Sequence, residues 1–160
     1  MKSENQLINE SKQKDLYFVA VKLFIRDGDK LLIIHDVFGE WDLPGGRIKK
    51  TEFNVPLESI IERKINEELG TEFKCEVSKP NQIFFRVERK EWGLDSQIVH
   101  IFAVGYDAHY KSGKVKLGEY HDKMEWVDIN NFKPEDYFTG GWLTGVKEYL
   151  NIANETLGFS

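Results

Sequence analysis

The 160 residues contain one cysteine, Cys75, so no intrachain disulfide can close, and a reducing compartment fits. No apolar run approaches the ~18 residues of a membrane span. Met1 to Asp15 is polar and lacks the apolar centre of a secretion signal. We therefore expect a cytoplasmic protein with no membrane partner. In such a chain the triplets Asn9-Glu10-Ser11 and Asn154-Glu155-Thr156 read as chance matches to a glycosylation site. An excess of positive charge is also missing. The net charge of -5 argues against a partner held by a nucleic-acid backbone. It also means that an anionic substrate needs a bridging cation or a local basic patch. No Gly-x-Gly-x-x-Gly or P-loop pattern is present, which removes the support for a Rossmann or kinase-type site. Internal repeats and low-complexity linkers are absent too.

What is present is globular. The hydrophobic fraction is 41% and the charged fraction 31%, enough apolar side chain for a core. Eleven Phe and four Trp favour packing over a stacking pocket. The length favours one domain. Residues 1–15 read as a frayed or helical arm. Leu16–Arg26 and Leu31–His35 read as strands joined by the turn signal Asp27-Gly28-Asp29. Trp41 to Gly46 reads as a loop. Asn54 can cap a helix whose first turn holds Pro56; Leu57, Ile60, Ile61, Ile65 and Leu69 follow helical spacing, and Gly70 stops it. Strands are expected at Glu72–Ser78, Gln82–Glu88, Ile98–Asp107 and Met124–Asp128, with a helical turn near Asn130–Tyr137 and a closing helix from Gly141 to Asn154. Strands, a helix, more strands and a helix predict an α/β (α+β) fold, a mixed sheet with helices on its faces.

On the first long helix, Arg63 and Glu67 share a face, as do Lys64 and Glu68. Two carboxylates near a helix C-terminus oppose its dipole. They are either solvated surface acids or acids offset by a hard cation such as Mg²⁺. His35, His100 and His109 lie in or beside strands and read as packed or solvent-facing. Phe38 and Trp92, in loop-like segments, read as covers for the core before they read as stacking groups. Cys75, inside a strand without an evident His partner, does not suit thiol catalysis.

The wider pattern selects between the two readings of the acids. Gly46, five residues, Glu52, then Arg63, Ile65, Glu67, Glu68 and Gly70 resemble the Nudix box. Trp41-Asp42-Leu43-Pro44-Gly45 resembles its usual lead-in, and Trp126-Val127-Asp128 a later strand of the family. The resemblance covers most of residues 16–150, with the domain taken as 16–155. Three positions depart from it. Ten residues rather than seven separate Glu52 from Arg63, which lengthens the loop Phe53–Val55 and can move Glu52 relative to the helix. Thr71 replaces an aliphatic residue. Lys64 stands where the family has the first Glu of its Arg-Glu pair.

The resemblance implies a Nudix fold and hydrolysis of a nucleoside diphosphate derivative with Mg²⁺ or Mn²⁺. Glu67 and Glu68 are then the metal ligands, with the Gly45 carbonyl a further one. Arg63 orients Glu67, and Glu52 contacts the helix or a metal-bound water. Gly46 belongs to the support of this site. With Lys64 in place of a Glu, the base must come from a later loop. Glu119 is the first candidate, His121 the second and Asp122 a weaker third. The Lys64 ammonium would weaken metal binding and partly replace one metal's charge, so that Lys64→Glu raises Mg²⁺ affinity. The rival expectation is a catalytically weakened domain that binds a nucleotide or nucleotide sugar as a sensor. Many relatives dimerise, so a homodimer is a further expectation.

Overall fold

The computed structural model describes residues 1–91 and 97–157, which leaves Trp92 outside the described residues. Helix α1, Glu4–Lys12, opens on a capping box: the Ser3 hydroxyl accepts the Gln6 N–H, and the Gln6 side chain accepts the Ser3 N–H. None of its residues is buried, so the arm is helical but not packed.

Strands β1 (Tyr17–Asp27) and β2 (Lys30–Asp36) form the expected hairpin. The register pairs Asp27 with Lys30, which leaves Gly28 and Asp29 as a two-residue loop, with Gly28 at φ 58°. Ala20 to Ile25 is buried on every residue because helices cover both faces of the sheet, which explains an apolar run in β1 interrupted only by Lys22. Strands β5 (Lys74–Lys90), β6 (Ile98–Ser112) and β7 (His121–Asp128) complete the sheet with two short strands, β3 (Trp41–Asp42) and β4 (Gly45–Arg47). The order is β3-β2-β1-β6-β5, with β4 also on β1 and β7 also on β2. Only β1 and β6 run parallel among these pairs, so the sheet is mixed as expected.

Helix α2 (Leu57–Leu69) lays Ile60, Ile61, Ile65 and Leu69 on one face of the sheet, against Val21, Leu23, Ile25, Leu32 and Ile34. Helix α3 (Gly140–Leu157) lays Val146, Tyr149, Leu150 and Ala153 on the other, against Phe24, Leu31, Ile33 and Phe85. The odd and even residues of β1 therefore feed two separate cores.

Several expected boundaries move. The two strands expected over 72–88 are one long strand, Lys74–Lys90, because the irregularity between Ser78 and Gln82 shifts register without ending the pairing to β6. The segment expected as a plain loop carries β3 and β4, held by β2 and β1. Strand β7 starts at His121, ahead of the expected Met124. Asn54 does not cap α2. A 3₁₀ turn at Lys50–Glu52 runs on through the Val55 N–H to Glu52 carbonyl bond, so the chain enters the helix at Pro56, whose carbonyl accepts the Ile60 N–H. Among the described residues no helix is long and apolar enough to cross a membrane.

Candidate active site

With its apolar stripe committed to the sheet, α2 turns Arg63, Lys64, Glu67 and Glu68 toward its C-terminal side. Two acids there oppose the helix dipole, and its last carbonyls lack helical donors. The segment between β6 and β7 supplies those donors: the Lys116 N–H reaches the Leu69 carbonyl at 2.8 Å and the Gly118 N–H the Glu68 carbonyl at 3.2 Å. The approach is so close that a Cβ on Gly118 would stand 2.1 Å from the Glu67 carbonyl oxygen. These two bonds bring Glu119 and His121, next along the chain, to the end of α2.

A cavity of about 700 Å³ results, lined by Lys49, Lys64, Glu67, Glu68, Gly118, Glu119, Tyr120 and His121. Its size falls in the range of small-ligand sites. Five of the sequence candidates thus share one cavity: Lys64, Glu67, Glu68, Glu119 and His121.

Behind it, Arg63 forms a fork on Glu52, with Nε 2.8 Å from Oε2 and Nη2 2.7 Å from Oε1. Its Nη1 reaches Glu67 Oε1 at 3.0 Å. The Lys49 N–H also donates to Glu52, at 2.8 Å. Arg63 chiefly, with the Lys49 amide, holds the Glu52 carboxyl below its usual range. The longer gap between Glu52 and Arg63 therefore leaves Glu52 on the helix; the extra length emerges as a turn whose Phe53 is exposed.

Glu68 is buried. Its Oε2 accepts the Gly45 N–H at 2.8 Å and its Oε1 lies 3.5 Å from Lys64 Nζ. Burial pushes its carboxyl up, and the charges of Lys22 and Lys64 offset this only in part. Burial also pushes Glu67 up, but there Arg63 and Lys64 prevail and its carboxyl lies below the usual range. Gly45 must be glycine: its φ is 132°, and a Cβ would stand 2.0 Å from the Val21 carbonyl oxygen. The register sets it opposite Lys22, between the Leu23 N–H to Pro44 carbonyl and Ile48 N–H to Val19 carbonyl bonds, so its backbone groups point away from β1 and toward Glu68.

His121 has a buried Nδ1 without a hydrogen-bond partner, and burial pushes its imidazole below the usual range. Asp122 does not line the cavity; its carboxylate is taken up by His35 Nδ1 at 2.7 Å. His35 is packed edge-on against Trp41. His100 bonds Asp15 and, at 2.9 Å, Glu88; His109 lies 3.8 Å from Asp107. All three histidines are elsewhere than the cavity. Phe38 does not cover the core: it is exposed in the β2–β3 turn.

Sequence reasoning missed the buried pair Lys22–Asp42, at 2.8 Å, whose charges both act on Glu68 and His121. A lysine inside the apolar run of β1 was the available signal. It also missed Lys49, Gly118 and Tyr120, which nothing in their local pattern distinguishes.

The NUDIX domain family matches residues 16–142. The chain belongs to the Nudix family. No curated protein matches it in sequence. Solved Nudix-type structures share its fold at low identity. The MutT protein from Methanosarcina mazei Go1 is 20% identical, with 89% of this chain and 96% of that one covered and a TM-score of 0.61. An ADP-ribose pyrophosphatase from Streptococcus suis 89-1591 is 13% identical, with 86% and 92% covered and a TM-score of 0.58. The NUDIX domain of Shewanella oneidensis NrtR, in complex with ADP ribose, is 17% identical, with 98% and 99% covered and a TM-score of 0.56.

Nudix hydrolases work with divalent metals. Among the described residues of this Nudix chain, no group of three or more His, Cys, Asp or Glu side chains is arranged to hold an ion. Three carboxylates do line the cavity, Glu67 and Glu68 from α2 and Glu119 from the facing segment. That set fits a hard cation completed by substrate phosphates and water, the way Mg²⁺ is commonly bound, and does not fit a cage built wholly from protein.

Proposed function

We propose that this Nudix protein hydrolyses a diphosphate linkage in a nucleoside diphosphate derivative. One observation carries the reading: a single cavity joins the carboxylates of α2 to Glu119 and His121 from the far side. Water attack on a phosphorus atom needs negative charge offset on the substrate and a proton removed from the nucleophile. Glu67, Glu68 and the Gly45 carbonyl would hold Mg²⁺ or Mn²⁺, which when bound neutralises phosphate oxygens and acidifies water. Lys49 and Lys64 bring cations to a cavity that otherwise repels an anion. Arg63, braced on Glu52, fixes the direction of Glu67. Glu119 is the leading candidate to take the proton. His121 is the alternative, since its lowered pKa keeps the imidazole neutral and able to accept a proton near pH 7.

A specific observation favours a second reading. Lys64 lies beside both acids, in place of a carboxylate, as it would in a domain that binds a nucleotide derivative and turns it over weakly or not at all.

The test is release of phosphate or nucleotide from a panel of diphosphate compounds, with and without Mg²⁺. We expect metal-dependent turnover of at least one compound, and a drop of about 10²–10⁴-fold in Glu68→Gln. Binding of a panel member without turnover selects the second reading. Turnover in Glu68→Gln near that of the unaltered protein refutes the role of Glu68.

A further inference from the structure

Lys64 is held in place on three sides. Its side chain is only 18% exposed. Its stem lies over Gly46: a Cβ there would stand 2.3 Å from Cε and 2.7 Å from Nζ. Its ammonium faces Glu67 Oε2 at 3.3 Å and Glu68 Oε1 at 3.5 Å. Charge-assisted N–H···O bonds settle near 2.7–2.9 Å. The Arg63 fork on Glu52 lies at that length, whereas the Lys64 contacts are longer. An ammonium carries three N–H donors; Lys64 gives one to Glu67 and has one further carboxylate neighbour, Glu68, so a donor is left for the cavity. Lys64 also lines the cavity, with Lys49 the other lysine in its wall. A buried stem, a fixed ammonium and an open cavity make a preformed cation site for an anion.

We propose that Lys64 is a built-in phosphoryl-binding group: its ammonium takes an oxygen of the substrate diphosphate directly, so that part of the anion's charge is offset without a metal ion. The proposal rests on the reading that the cavity admits a diphosphate. It adds that diphosphate binding and divalent-metal binding are separable here. An acid at position 64 could bind the same oxygen only through a cation; the lysine binds it unaided. Gly46 has a part in this, because the absent side chain is what leaves room for the lysine stem.

The test is calorimetric titration with inorganic pyrophosphate in excess EDTA. The unaltered protein binds, and added salt weakens the binding. Lys64→Gln weakens it roughly tenfold, the scale of one charge-assisted contact, and Lys64→Arg recovers part of the loss. Gly46→Ala, which keeps the charge but sets a Cβ 2.3 Å from Lys64 Cε, displaces the ammonium and weakens binding as well. Lys64→Glu loses pyrophosphate binding in EDTA and gains Mg²⁺ affinity. Equal affinity in Lys64→Gln and the unaltered protein overturns the proposal, and so does the absence of binding in EDTA. Metal-dependent turnover with no binding in EDTA would overturn this role for Lys64 and leave the hydrolase reading intact. Lys64-dependent binding with no turnover on any compound would do the reverse. Circular dichroism and Tm of each variant show whether a lost signal reflects unfolding.

Discussion

Lys22 and Lys64 are both lysines set against carboxylates, yet they do opposite work. Lys22, on β1, has Asp42 Oδ2 at 2.8 Å, Asp42 Oδ1 at 2.9 Å and the Leu43 carbonyl at 3.1 Å, with its side chain 6% exposed. Its donors are satisfied, and the Trp142 ring lies 5.0 Å from Nζ. Lys64, on α2, has longer contacts and an open cavity beside it. An ammonium whose three donors are all taken inside the protein is a strut, while one with a donor left over at a cavity wall is open to a ligand. Contact length and what lies beyond the ammonium separate the two, not residue type.

The comparison can be broken by experiment. Lys22→Met strands Asp42 and should cost about 3 kcal/mol of stability by urea unfolding. Lys64→Gln should cost less in the same assay, about 1 kcal/mol, because its contacts are longer and one partner, Glu67, has a side chain 43% exposed. The opposite ranking would show that Lys64 is the strut. Next in size is Gly118→Ala. Its Cβ collides with the Glu67 carbonyl, so the segment bearing Glu119 and His121 must move. A displacement of that order should lower kcat by roughly 10²-fold, with stability less affected than in Lys22→Met. Unchanged kcat would detach this segment from the chemistry.

The smallest expected effect is on pH dependence. Burial chiefly depresses the pKa of His121; Lys22 and Lys64 push the same way while Asp42 and Asp36 oppose them. An unfolded histidine titrates near 6.5. Between the lowered folded value and ~6.5 the unfolded state binds more protons, so stability rises with pH through that window and is lost on acidification. Urea midpoints should therefore rise as the pH is raised through that window. His121→Gln should flatten the slope, and Lys22→Met should shallow it by removing one of the depressing charges. A slope that survives in His121→Gln assigns the effect to another group.

Much of the fold was legible because two periodicities are strong in this chain. The 3.6-residue spacing of Ile60, Ile61, Ile65 and Leu69 marks α2, and the apolar run of β1 marks a strand covered on both sides. The strands flanking Pro44 were not legible, since Pro and Gly signal a break while β1 and β2 supply the partners that hold it. Glu52, Arg63, Glu67 and Glu68 were visible as a motif with fixed offsets. Asp42 was visible as part of the lead-in, but its pairing with a lysine twenty residues earlier is a tertiary fact. The same holds for Gly118: only the approach of its backbone to the end of α2 distinguishes it from any loop glycine.

The Glu52–Arg63 fork also has a practical side. It closes a ring around residues 53–62, so the segment just after Glu52 hangs from a clasp fastened at both ends. Phe53 and Asn54 point outward, and neither lines the cavity. A family template with rigid gaps would penalise extra length here, although mechanically the length is slack. This is the natural splice point for a fluorophore-bearing or affinity insert: a label carried outside the cavity, with the clasp keeping it from tugging on the acids of α2.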